Sequence, residues 1–237
     1  MAAQKFNFRR VAKLLLVALL VVLLIPPAQV AMAVFWDPPF VPMHYQRRIE
    51  ARMAGKTLQA TPARWVALRD IPEKLIHYIW ASEDQAFFDH QGFDIPGIRT
   101  AIAEAKDGEA RGVSTITMQC ARSLFLWQGR SYLRKALEAY YTIWMELFMS
   151  KRRILELYLN HIEFGPGIYG IGSAAHEYFD RTPNQLTRGQ MMALAAILPN
   201  PLKWSPVRPN QTVLRKIRRV ERLSSRAPFP REKLKGK

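Results

Sequence analysis

An apolar run near the N-terminus limits what this chain can become before any other feature does. From Val11 to Ile25 only Lys13 is charged, and after Pro26 and Pro27 the chain stays mostly apolar to Trp36. That is close to the ~20 residues that carry a helix across a bilayer. Lys5, Arg9, Arg10 and Lys13 stand in or before the run with no acid among them, which keeps an N-terminus in the cytoplasm and places Trp36 at the far interface. We therefore read residues 1–13 as a cytoplasmic basic segment and 14–36 as a transmembrane anchor. The alternative is a signal peptide cleaved near Ala31-Met32-Ala33. Either way, the remaining chain is expected outside the cytoplasm.

That remainder, about 200 residues, has the size of one compact domain. Residues 37–69, opening with Pro38, Pro39 and Pro42, read as a stiff linker and a membrane-proximal segment. The formal net charge of the chain is +16, which calls for a polyanionic partner or an anionic membrane surface. Nucleic acid is the usual partner at such a charge, but the extracytoplasmic placement argues against it. Cys120 is the only cysteine, so neither an internal disulfide nor a zinc site of several cysteines can form. The five histidines show no close pair at metal-ligand spacing. Almost no stretch alternates as a strand does, so the fold class is mainly α.

The most informative helix opens at Asp70, Ile71, Pro72 and Glu73, an acid and a proline at a helix start. Leu75, Ile76, Ile79 and Trp80 follow at helical spacing, and one turn beyond Ile79 the stripe lands on Glu83. A carboxylate then stands where an apolar residue belongs, near a helix end. Partial burial and the negative end of the helix dipole both disfavour its charge. The expected result is a carboxylate basic enough for a general base near neutral pH. Asp84 points to another face, and His90 can hydrogen-bond back toward the pair. The competing reading is a solvated residue at a helix end.

Three further clusters follow. Gly112, Val113, Ser114, Thr115, Ile116 and Thr117 lead into a helix through Leu126, a pattern suited to an anion or to a plain N-cap. Gln119 and Arg122 on that helix add donors. A long helix spans Ser131 to about Met149, with Leu133, Leu137, Tyr140, Trp144 and Leu147 as its core stripe and Arg134, Lys135 and Glu138 on an adjoining face. Two cations around one acid suit a phosphate, or simply form a surface ion pair. Lys151 to Asn160 forms another helix, with Ile154, Leu155, Leu157 and Tyr158 inward. A glycine-rich connection holds Gly165, Pro166, Gly167, Gly170 and Gly172. Thr187 and Gln190 make a capping box, with Leu186 and Met191 as its staple. The helix after them stops at Pro199. The tail, 207–237, is basic with a helix near Val213 to Leu223, either a solvated face or one for anionic lipid headgroups.

These motifs, in this order, resemble those of the peptidoglycan glycosyltransferases, which include the transglycosylase domains of bifunctional penicillin-binding proteins and stand-alone transglycosylases. The resemblance covers about Ile71 to Pro206, with the domain placed at 70–206. Its first motif matches Glu83, Asp84, Phe88, His90 and Gly92, and its second Gly112, Ser114, Thr115, Ile116, Thr117 and Gln119. The third matches Arg134, Lys135 and Glu138; the fourth runs from Ile154 to Asn160, with Phe164 and Gly165 after it. The chain departs from the family at Met118, Arg122 and Ser123, where Gln, Lys and Asn are usual. The resemblance implies a lysozyme-like helical domain that polymerises lipid II by inverting glycosyl transfer, with undecaprenyl diphosphate leaving. It implies Glu83 as general base and Glu138, with Arg134 and Lys135, on the donor side. Substrate contacts are expected from Asp84, Phe88, His90, Gly112, Ser114, Thr115, Gln119, Arg122, Arg134, Lys135 and Asn160. No organic cofactor is expected; a divalent cation, Mg²⁺ or Mn²⁺, could sit at Glu138. Expected partners are lipid II, the growing glycan chain, the plasma (inner) membrane and cell-wall synthesis or division proteins, and no nucleic acid. No serine has a lysine three positions on, so penicillin-type acylation and cross-linking are not expected. The alternatives are a lysozyme-like hydrolase of peptidoglycan, since paired acids also suit glycoside cleavage, and an inactive membrane-anchored scaffold.

Overall fold

The computed structural model of the protein describes residues 8–38, 41–55, 61–106, 114–129 and 131–235. Gly112 and most of the polar stretch before it lie outside the described residues, as do several side chains early in the first helix. The described chain is mainly helical. Helix α1 runs Phe8–Phe35, with Pro26 and Pro27 inside it. Then come α2 (Pro42–Met53), a 3-10 turn (Leu68–Asp70), α3 (Glu73–Glu83), α4 (Ile95–Lys106), α5 (Ile116–Phe125), α6 (Tyr132–Phe148) and α7 (Lys151–His161). The glycine-rich connection folds as a small antiparallel hairpin, β1 (Glu163–Gly165) and β2 (Ile168–Tyr169), pairing Glu163 with Tyr169 and Gly165 with Ile168. Helices α8 (Ile171–Phe179), α9 (Arg188–Ile197), α10 (Gln211–Arg226) and α11 (Arg231–Lys235) complete the chain.

Among the described residues, no helix is long and apolar enough to cross a membrane. Helix α1 nonetheless divides into two regimes. Leu14, Leu16, Val17, Leu20, Val21, Val22 and Leu24 are exposed, whereas Val30 and Ala33 are buried in the main core. Near its C-terminal end α1 packs on α6: Tyr140 donates to the Leu23 carbonyl at 2.9 Å and Tyr141 donates to Gln29. Arg153 of α7 donates to the Ala33 carbonyl at 3.2 Å and pairs with Asp37 at 3.0 Å.

The core joins two sets of helices, α5 with α6 and α7, and α3 with α9 and α10. Leu75, Ile76 and Ile79 of α3 are buried as their spacing requires. The helix start differs from the sequence reading. Asp70 belongs to the 3-10 turn, Ile71 is extended, and Pro72 is the N-cap, so no side chain caps α3. The capping box of Thr187 and Gln190 forms as expected, with the Thr187 N–H donating to Gln190 Oε1 at 2.8 Å.

Helix α6 is turned relative to its expected face. Leu133 and Leu147 of the expected core stripe are exposed, and the buried residues are Arg134, Glu138, Tyr141, Thr142 and Met145. An apolar periodicity says which side chains share a face but not what that face meets. Here Tyr140, on that outer face, meets α1, and the charged pair turns inward because it is neutralised there. The glycine hairpin depends on backbone freedom at Gly170, whose φ is +78° and where a Cβ would meet the Asn160 carbonyl oxygen at 2.4 Å.

Candidate active site

The site is built where α3 ends against the start of α5. Helix α3 stops at Asp84, whose backbone leaves the helical region (φ −163°) while its N–H still bonds the Trp80 carbonyl at 2.9 Å. The Asp84 carboxylate accepts the Ile116 N–H at 2.9 Å and lies 3.0 Å from His90 Nε2. His90 Nδ1 accepts the Gly92 N–H at 3.0 Å. A nitrogen that accepts cannot carry a proton, so His90 is the neutral Nε2–H tautomer and donates to Asp84. Thr115 caps α5 by accepting the Met118 N–H at 3.2 Å and donates to the Gly92 carbonyl at 2.7 Å. Asp84 and Thr115 thus occupy amides that the sequence pattern offers to a ligand, and the cap is Thr115.

Glu83, the last residue of α3, is half-buried. Gln119 donates to its Oε2 at 3.0 Å and to the Ser114 carbonyl at 3.3 Å, while the amide oxygen of Gln119 accepts from the buried Tyr158 hydroxyl at 3.2 Å. Tyr158 thus fixes which way the Gln119 amide points, and Gln119 in turn holds the carboxylate. Burial pushes the Glu83 carboxyl up from its ordinary range, and Asp84 adds in the same direction. The Gln119 hydrogen bond and the charges of Lys216 and Arg122 pull the other way. The result is a carboxylate more basic than a free one, held among the described residues by one neutral partner, Gln119.

Two cavities flank Glu83. The first, about 440 Å³, is lined by Ser82, Glu83, Ser114 and Thr115 together with Asp94 and Glu104 of the α4 side. The second, about 460 Å³, is lined by Ser82, Glu83, Ser114, Gln119 and Arg122 and by Lys216 of α10. Arg219 of α10 lines both. The charge is asymmetric across Glu83: acids outnumber the one cation in the first cavity, and three cations face one carboxylate in the second.

The third motif adjoins this cleft at Ser114. Lys135 Nζ lies 3.4 Å from Ser114 Oγ and 2.7 Å from Glu138 Oε1, and Arg134 donates to Glu138 Oε2 at 2.7 Å. Glu138 has 0% exposure. Both its oxygens are held by cations, so in this arrangement Glu138 is the buried counter-ion of Arg134 and Lys135 and lines neither of the two cavities beside Glu83. A divalent cation does not fit there, because binding it would require displacing Arg134 and Lys135 from Glu138 and bringing a third charge beside them. Among the described residues, no group of three His, Cys, Asp or Glu could hold a metal.

Other expected contacts are placed elsewhere. Asn160 accepts the Val66 N–H and donates to the Val66 carbonyl, both at 2.9 Å, and so clasps the segment entering the 3-10 turn instead of lining either cavity. Phe88 packs edge-on against Phe87 and Phe229. Lys216 and Arg219 escape sequence reasoning, since a cationic helix run reads first as a solvated face. Tyr158 reads from its spacing only as core, although a buried hydroxyl needs a partner and that requirement is a signal. The structure also joins two histidines that their spacing keeps apart: His44 of α2 stacks on Tyr169 at 3.8 Å and lies 6.4 Å from the His161 ring. Burial is the main cause that lowers the pKa of each to about 4.

The transglycosylase family's sequence model matches residues 50–224. Among curated proteins, the chain is similar to the biosynthetic peptidoglycan transglycosylase of Pseudomonas entomophila (strain L48), with 42% identity over 81% of this chain and 82% of that one. It is 40% identical to the protein of the same name from Caulobacter vibrioides, over 90% of each chain. A third such protein, from Stutzerimonas stutzeri (strain A1501), is 43% identical over 74% of this chain and 73% of its own. With its motif-bearing helices assembled around Glu83 and its sequence shared over this length, the chain belongs to the peptidoglycan transglycosylase family of glycosyltransferases.

Proposed function

We propose that the protein polymerises the glycan strand of peptidoglycan from lipid II, with Glu83 as the general base. The reading rests on one observation: a carboxylate of raised basicity, held by the neutral Gln119 amide, stands between two cavities of which one is lined by Arg122, Lys216 and Arg219. The acceptor's sugar 4-hydroxyl loses its proton to Glu83 as its oxygen bonds to the donor's anomeric carbon. The bond from that carbon to the diphosphate oxygen breaks with its electron pair, the anomeric configuration inverts, and undecaprenyl diphosphate leaves. The cation-lined second cavity suits the diphosphate, whose charge grows as it departs. Ser114 adds a hydroxyl to both cavities, and Lys135 stands beside it. A neutral glycan leaving group would gain little from three cations, which favours transfer over hydrolysis.

The exposed apolar side chains of α1, behind basic residues, suit a single-pass anchor in the plasma (inner) membrane with the domain on its outer side. Carbonate extraction and protease protection of spheroplasts test this. The chemistry is tested by incubating the protein with lipid II and, separately, with finished peptidoglycan. Polymer growth from lipid II supports the proposal. Shortening of finished polymer without growth supports a hydrolase, and neither activity supports a scaffold. Repeating the assay with and without Mg²⁺ or Mn²⁺ measures cation dependence, which we do not assign to Glu138. No cross-linked product is expected.

A further inference from the structure

Helix α10 carries Arg215, Lys216, Arg218, Arg219, Arg222 and Arg226 against one acid, Glu221. Arg215, Arg219, Arg222 and Arg226 follow one another by four, three and four residues, the spacing of a single helical face. All four are exposed. The opposite face is the one that seats the helix, through buried Val213 and Val220. Among the described residues none of the four has a carboxylate partner, because Glu221 is taken by Arg188 at 2.8 Å. The ridge they make is about 16 Å long at 1.5 Å per residue. It is continuous with the cleft, since Arg219 lines both cavities beside Glu83.

We infer that this arginine ridge is a track for the growing glycan strand, gripping the carboxylates of its peptide side chains as the strand passes the cleft. The inference rests on the proposed polymerase reading and adds to it the surface that decides how long a strand is held. Anionic headgroups are the rival occupant. The ridge is carried by helices other than those that carry the apolar anchor: α10 packs on α3 and α9, and α1 packs on α6. A strand held at regular intervals by exposed guanidiniums rebinds before it escapes, so removing a guanidinium should release strands earlier.

The test compares the full chain with the double variant Arg222→Gln/Arg226→Gln, and with Arg222→Lys/Arg226→Lys, in lipid II polymerisation with product length read at matched consumption. Exposed charge contacts of this kind change an equilibrium by about two- to fivefold. The mean strand of the glutamine variant should be shorter by a factor in that range, the lysine variant should stay near the parent, and added salt should narrow the gap. Equal lengths from parent and glutamine variant, with both consuming lipid II, would overturn the inference alone. So would a difference seen in vesicles containing anionic phospholipid and absent in neutral vesicles, which assigns the ridge to headgroups. Failure of the parent to consume lipid II would remove the polymerase reading and this inference with it.

Discussion

Glu83 and Glu138 are the same residue type on helices of one domain, and their surroundings give them opposite characters. Glu138 is sealed, with a cation on each oxygen at 2.7 Å. Glu83 opens onto two cavities and has, among the described residues, one direct partner, an uncharged amide at 3.0 Å. Two cations in contact satisfy a carboxylate and make it inert. A neutral donor positions it without removing its appetite for a proton. Resemblance alone places both acids in the reaction; the proposed base is the one with a neutral partner, and the other is the counter-ion of two cations.

The largest effect is expected at Glu83. Glu83→Gln should lower the rate of polymerisation by about 10²–10⁴-fold, the usual worth of a positioned base, while thermal unfolding shows no loss of stability. The sign of the stability effect follows from linkage. A carboxyl whose folded pKa lies above its unfolded value binds more protons when folded, so its stabilising effect is present at low pH and is lost as pH rises from the unfolded value through the raised one. At neutral pH the charged Glu83 therefore opposes folding, and the amide variant should melt no lower than the parent. A clear fall in melting temperature would count against this account.

Glu138→Gln should behave in the reverse way. Removing one partner of a buried ion group costs about 3–5 kcal/mol in sealed surroundings, at the lower end here because Lys135 is half-exposed. Activity should fall too, as Lys135 and Ser114 lose their setting. The pH at which the rate is half-maximal should stay where the parent has it, which distinguishes a positioning residue from a base. Movement of that pH would return Glu138 to the reacting atoms.

A smaller effect is expected from Gln119→Leu. The hydrogen bond it removes stabilises the Glu83 anion, so the acid limb of the pH–rate profile should move to higher pH. Lys216→Gln should move it the same way by less. The smallest effect concerns the distant His44–His161 pair and is seen in stability alone. Both histidines have folded pKa values of about 4 against an ordinary 6.5. The unfolded chain takes up their protons first, so denaturant stability should fall as pH drops from about 6.5 to 4. The double variant His44→Phe/His161→Phe should flatten that fall.

Glu83 is legible in the sequence because it violates a pattern: an acid on an apolar stripe at a helix end. The capping box at Thr187 is legible because its two bonds are local. The orientation of α6 is not, since its apolar stripe and its neutralised charged face are equally periodic, and only its packing between α1 and α5 chooses between them. Asn160 lies within a family motif, yet its bonds to Val66 show that a motif can encode a clasp as well as a substrate site. Arg219 and Lys216 stand more than a hundred residues after Glu83, and only tertiary folding makes them neighbours. His44 and His161 are separated in the same way, so their joint burial cannot be read from spacing.

The burial of Val30 and Ala33 makes the end of α1 a part of the folded domain. Severing the chain near Ala33, as a signal peptidase would, strips two side chains from the interior and removes the Gln29 partner of Tyr141. A domain freed in that manner carries a wound on its flank and should be a substrate for quality-control proteases. The molecule is then at its most durable while it keeps the whole of α1.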